Sequence, residues 1–345
     1  MIFPPPFDRL RYYSKGHHLV CLRQSIMTVG GTPQLFLESA TIMKFVLLLI
    51  LKLALLTIVF AVLLLIGSFV FVRSAASSAP IDPAQTQAAL LGYLVIALVD
   101  TLVIALIILR SRWTGWRLML ATGFAVYGAM TFMPQIETYW FAPAMTTMNI
   151  GPEMIRGLFL QTIPLLAVFV PLAVWLLGKA RASDSVSEPD ASLPHSLGDW
   201  AWRLILVVLA YLVLYFGFGF LVAWQNPAVR DLYDAGANQS VFAFDRLIPF
   251  QMLRALLWLL FALPVIRMTR GSLWQVALVV GLLLALPMNM FLILPSQLMS
   301  SSVRLSHFVE TSTSNFIFGV VITYLMLWRP EWAARRREGE YRLAK

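Results

Sequence analysis

The chain has 345 residues, of which 59% are hydrophobic and only 12% charged, and its mean hydropathy is +0.78. A water-soluble domain carries about 25% charged residues, so the deficit excludes an ordinary soluble enzyme or binding module and points to a surface wetted by lipid. The net charge of +9 does not indicate nucleic-acid binding, because the basic residues fall mostly in short loops between apolar runs, the pattern that sets membrane topology.

Residues 1–43 are not membrane-like; with Arg9, Arg11, Lys15, His17, His18 and Arg23 they read as a disordered basic tail. Met43 opens MKFVLLLILKLALL, a run with the look of an N-terminus in its own right. The apolar run that follows is too long for a signal peptide. The single cysteine, Cys21, excludes an internal disulfide and any multi-cysteine metal site.

A membrane-crossing helix needs about 20 apolar residues. By that measure the chain predicts eight spans, at 45–72, 88–109, 117–135, 155–178, 202–224, 250–267, 273–298 and 304–328. Pro134, Pro164, Pro171, Pro264, Pro287 and Pro295 fall within or at the ends of these runs and predict kinks. Lys and Arg concentrate in alternate loops: Arg110, Arg112, Arg117, Lys179, Arg181, Arg203, Arg267, Arg270 and the residues after Trp328 share one side with the N-terminal tail. Both termini are therefore expected on the cytoplasmic side of a cell membrane, with the loops at 136–153 and 225–248 outside.

Residues 182–200 are polar and read as a flexible linker. They divide the chain into two four-helix halves, 44–181 and 201–328, followed by a basic tail, 329–345. Leu158-Phe-Leu-Gln-Thr162 and His307-Phe-Val-Glu-Thr311 lie at matching depths of the fourth and eighth spans, which suggests a parallel tandem repeat. The expected fold class is thus an all-α polytopic membrane protein of eight transmembrane helices.

Ionisable groups within apolar runs are costly and mark sites or structural pairs. Asp100 lies mid-span, and Lys52 at a similar depth is its expected partner in a buried ion pair. The other such groups collect toward the outer side: Glu137, Glu153 and Arg156, Gln251 and Arg254, Asn289 and Gln297, then Arg304, His307 and Glu310. At about 100° per residue, Arg304, His307, Glu310, Thr311, Ser314 and Asn315 share one arc of the last span. An arc of that kind must face protein or water. Tyr211, Tyr215, Phe216, Gly217 and Gly219 in the fifth span read as close-packing residues without chemistry. Asn238-Gln-Ser240 matches a glycosylation sequon in an outer loop, a pattern short enough to arise by chance.

These features predict an outward-facing polar cavity for a small polar or anionic solute. Its expected ligand-binding residues are Glu137, Arg156, Arg254, Arg304, His307, Glu310, Thr311 and Asn315. The alternatives are an intramembrane hydrolase or transferase using His307 and Glu310, and a non-catalytic scaffold for partner membrane proteins. No phosphate-binding loop, dinucleotide fingerprint, nucleophile elbow or His-Glu-x-x-His pattern occurs, so no cofactor or metal is expected.

Overall fold

The computed structural model describes residues 32–72, 83–144, 150–181, 191, 193–194, 196–234, 239–295 and 299–328. Outside them lie the N-terminal tail before Thr32, most of the linker, the sequon Asn238, Gln297 and the C-terminal tail. Contacts divide the chain into two compact units, Met1–Leu51 and Lys52–Lys345. In the first, the described part is helical and its apolar side chains, such as Phe45 and Leu47, are exposed. All that follows concerns the second.

Apolar side chains recur without a strong polar face, and the chain answers with helices: no strand occurs among the described residues. They are α1 (Thr32–Phe71), α2 (Pro83–Arg110), α3 (Gly115–Tyr127), α4 (Met133–Phe141), α5 (Pro152–Leu160), α6 (Thr162–Leu176), α7 (Leu197–Leu221), α8 (Pro227–Asp234), α9 (Phe244–Met268), α10 (Leu273–Asn289) and α11 (Ser301–Leu327). A π-turn, Gly128–Phe132, joins α3 to α4 without a break just before Pro134, and α5 meets α6 at Gln161, just before Pro164.

Each expected span coincides with a helical rod, but six of these, not eight, are long and apolar enough to cross a membrane. The two outside that set are the α3–α4 rod and α11. Their own composition explains it: α4 carries Gln135 and Glu137, and α11 carries Arg304, His307, Glu310 and a run of hydroxyls. The membrane class is supported; eight spans in a tandem arrangement are not.

Small residues decide which rods touch. A Cβ placed on Gly319 of α11 would lie 2.7 Å from the Cα of Gly281 on α10, so the two backbones meet where neither has a side chain. Beside that contact Phe318 takes the edge of Tyr211 from α7, with ring centres 4.9 Å apart. Gly128 leaves room for the ring of Phe261 on α9, and Thr131 and Thr162 share a buried hydrogen bond between the π-turn and α6. Within the second unit, α1 lies against α5 and α6: Phe60 meets Phe169 edge-on at 5.0 Å, and Gly67 and Gly157 admit backbone from the facing helix.

At the end of the bundle expected to face the cytoplasm, the α2–α3 turn pairs with the α9–α10 turn through Ser111 and Thr269. Lys179 donates to the Ser111 carbonyl at 2.9 Å. Burial, and after it the charge of Arg270, lowers this ammonium below the usual lysine range.

At the opposite end, the loops form a lid. Asn226 precedes α8 and donates to Ser302 and Ser306 of α11, each at 2.8 Å. Trp140 of α4 donates to the Val241 carbonyl at 3.2 Å. Within this layer Phe141 stacks on Phe242, and Tyr233 meets both rings edge-on.

Candidate functional site

The site assembles beneath that lid from five helices, α4, α7, α9, α10 and α11. Arg254 sits on α9, 2% exposed, and a buried guanidinium needs a partner of opposite charge. Glu137 supplies it from α4: Arg254 donates through both terminal nitrogens to the two carboxylate oxygens, at 2.9 and 2.6 Å. Gln251, one turn back on α9, accepts a third bond at 3.0 Å. The guanidinium carbon also lies 5.9 Å from the ring of Tyr211 and 5.8 Å from that of Phe250. The fork geometry is the strong form of the arginine–carboxylate contact.

The second pair lies on α11. His307 and Glu310, three residues apart, face the same way, and His307 Nδ1 is 3.0 Å from Glu310 Oε2. Glu310 is buried, and Gly219 of α7 leaves open the space facing it: a Cβ there would be 3.7 Å from Oε1. Nε2 of His307 is buried and has no hydrogen-bond partner among the described residues. The ring meets Tyr233 of the lid edge-on, with centres 6.2 Å apart. Thr311 lies 2.6 Å from Oδ1 of the fully buried Asn289 and also bonds the His307 carbonyl, which anchors this turn of α11 to α10.

The two pairs share their surroundings. Glu137 and Glu310 both act on the phenol of Tyr233; burial first, then these two acids, raises it above the ordinary tyrosine range. Tyr211 also lies within electrostatic reach of Arg254, Glu137 and Glu310, and Tyr215 within reach of Glu137 and Arg254. Three tyrosines thus border a region holding two acids, an arginine and an imidazole. Sequence reasoning missed them: Tyr211 and Tyr215 sit in an apolar run, and Tyr233 lies in a loop. The one available signal was that a tyrosine hydroxyl within an apolar span seeks a polar partner.

Of the expected ligand-binding residues, the structure brings Glu137, Arg254, His307, Glu310 and Thr311 together, and Asn315 is buried further along α11. Two do not join them. Arg304 turns back along its own end of the helix and donates to the carbonyls of Leu292, at 3.2 Å, and Met299, at 2.7 Å. Arg156 is on the surface beside Glu153, at 3.8 Å, with side chains 73% and 82% exposed. The lid lies against this part of α11, where Asn226 bonds Ser302 and Ser306 and Tyr233 meets the His307 ring, and two grooves lie elsewhere among the described residues. One, of about 810 Å³, runs past Leu65, Tyr93 and Gln161, and the other, of about 970 Å³, past Trp140, Arg156 and Arg246.

The expected Lys52–Asp100 ion pair is absent. Asp100 is 0% exposed, and neither of its oxygens has a hydrogen-bond partner among the described residues. The reason is helix placement: the residues of α1 from Lys52 onward pack toward α5 and α6, whereas Asp100 belongs to α2, which packs along α10 and α3. Equal depth in two spans does not make them neighbours.

Among the described residues no group of three or more His, Cys, Asp or Glu side chains converges as a metal site would require. No family model, curated protein or solved structure matches the chain, and the candidate site rests on its geometry.

Proposed function

We propose that this membrane protein binds and carries a small polar or anionic solute at the His307–Glu310 and Glu137–Arg254 pairs, with His307 handling a proton. The observation that carries the reading is the state of the imidazole: one nitrogen is held by Glu310, and the other is buried without a hydrogen-bond partner among the described residues. A buried polar atom left unpaired costs about 1–3 kcal/mol, so it is a natural point of attachment for an incoming hydrogen-bonding group. Glu137 already occupies the fork of Arg254, so an anion would bind by exchanging with that carboxylate. Such an exchange would link solute binding to movement of α4 and the lid. In this reading both termini face the cytoplasm and the lid faces outward, in keeping with the distribution of Lys and Arg.

The test is proton movement in vesicles. Purified protein is reconstituted with a pH-sensitive dye inside and exposed to a panel of small carboxylates, inorganic phosphate and neutral polyols. A solute-dependent change of internal pH is expected, lost in His307→Ala, and its dependence on the external pH should be lost in Glu310→Gln. Proton movement in His307→Ala equal to the unaltered protein would overturn the assignment.

A second reading is favoured by the same pair, since a histidine oriented by a carboxylate is the arrangement of a general base. The neighbouring hydroxyls are engaged: Ser306 accepts from Asn226, and Thr311 bonds Asn289 and the His307 carbonyl. A hydrolase built here would therefore activate water rather than a side-chain nucleophile. It would release product in detergent, where a carrier does no measurable work.

A further inference from the structure

The groove beside Trp140 supports a separate site. Its walls come from α4, the length of α5, the 3₁₀ turn Gln239–Phe242 and the first turn of α9. Tyr139, Trp140, Phe159 and Leu160 give it an apolar floor, and Arg156 and Arg246 stand along it. Its volume, about 970 Å³, is at the upper end of the range for ligand sites.

We infer that this groove binds an anionic phospholipid, with the phosphate between Arg156 and Arg246 and the upper part of an acyl chain along the aromatic floor. Four observations choose this occupant. Both guanidiniums stand near the starts of long apolar rods, α5–α6 (Pro152–Leu176) and α9 (Phe244–Met268), which in a membrane is the depth of lipid headgroups. Among the described residues Arg156 pairs with Glu153, which is 3.8 Å away and largely exposed, so the pair is weak and leaves the arginine's attraction for phosphate largely intact. Among the described residues, Arg246 meets the Ser240 hydroxyl at 3.4 Å, a long contact from an exposed side chain. Finally, the aromatic floor includes Tyr139, 69% exposed, and Trp140, the residue types that favour the membrane–water boundary. A free small anion would use the arginines and waste the floor; a neutral lipid would use the floor and leave the charge unanswered.

α4 lies between this groove and the buried pairs, with Glu137 engaging Arg254 and Tyr139 lining the groove. The inference does not depend on the carrier reading, and the test keeps them apart. The full chain is placed in nanodiscs of mixed phosphatidylcholine and phosphatidylglycerol, and lipids retained on release into the gas phase are counted by native mass spectrometry. Phosphatidylglycerol should be kept in preference. Arg156→Gln/Arg246→Gln should weaken that preference about tenfold, the effect of losing about 1.4 kcal/mol, with an unchanged melting temperature because both side chains are at the surface. Leu160→Trp, which fills the floor, should reduce retention with both arginines present, and His307→Ala should leave it intact. Equal retention by the double-arginine variant, or displacement of the lipid by inorganic phosphate alone, would overturn the proposal.

Discussion

Glu137 and Asp100 are two acids inside the same helical bundle, and they are treated in opposite ways. Glu137 meets a bidentate arginine, with Gln251 steadying the same guanidinium. Asp100 is completely enclosed and neither oxygen has a hydrogen-bond partner among the described residues. A carboxylate that answers a buried cation is part of a structural unit, because removing it strands the cation. A carboxyl group that answers nothing costs energy where it stands. The difference shows that the lid-side pairs are built as a matched set, whereas Asp100 is tolerated by the fold.

The contrast can be broken most sharply at Glu137. Glu137→Ala should destabilise the protein by about 3–5 kcal/mol, because Arg254 would be left buried without its counter-charge. Thermal unfolding in detergent measures it, and the joint change Glu137→Leu/Arg254→Met should recover most of the loss. Retained stability in the single variant would mean that water or lipid already solvates Arg254.

Asp100→Leu should have the opposite sign, raising the melting temperature by the equivalent of about 1–3 kcal/mol as an unsatisfied polar group is replaced by an apolar one. A loss of stability would reveal a partner for this carboxyl group. Thr311→Val should cost about 1 kcal/mol, the net worth of a typical hydrogen bond, through the lost contact with Asn289.

The smallest effects refine the picture. A double-mutant cycle of Lys52→Met and Asp100→Asn should show coupling below about 0.5 kcal/mol, as for residues that share no contact. Tyr233 offers a pH-dependent check. Its phenol is raised in the folded protein by burial and then by Glu137 and Glu310, whereas the unfolded phenol releases its proton near about pH 10. Above that pH the unfolded state binds fewer protons than the folded state, so stability falls as pH rises. Tyr233→Phe should remove this part of the alkaline loss.

Helix formation, the membrane class and the inward-facing stripe of α11 were legible in the sequence, because each is local. Runs of apolar residues dictate helices, and residues three and four apart must share a face. On that basis the spacing alone places His307 and Glu310 side by side. Charge counting likewise singled out Glu137 and Arg254 as costly groups, though not as each other's partner.

What only the tertiary structure decided is which helix stands beside which. Apolar helices carry little information about their neighbours, since lipid tails and leucines are nearly equivalent solvents, and pairing is settled by close contacts such as Gly281 against Gly319. This put the part of α1 from Lys52 onward against α5 and α6 and left Asp100 without Lys52; it also sent Arg304 back to its own loop and Arg156 to a lateral groove. The same packing gathered Tyr211, Tyr215 and Tyr233 around the paired charges. A one-dimensional pattern can fix the face of a helix, but the partner of a buried charge is chosen by contacts between residues far apart in the chain.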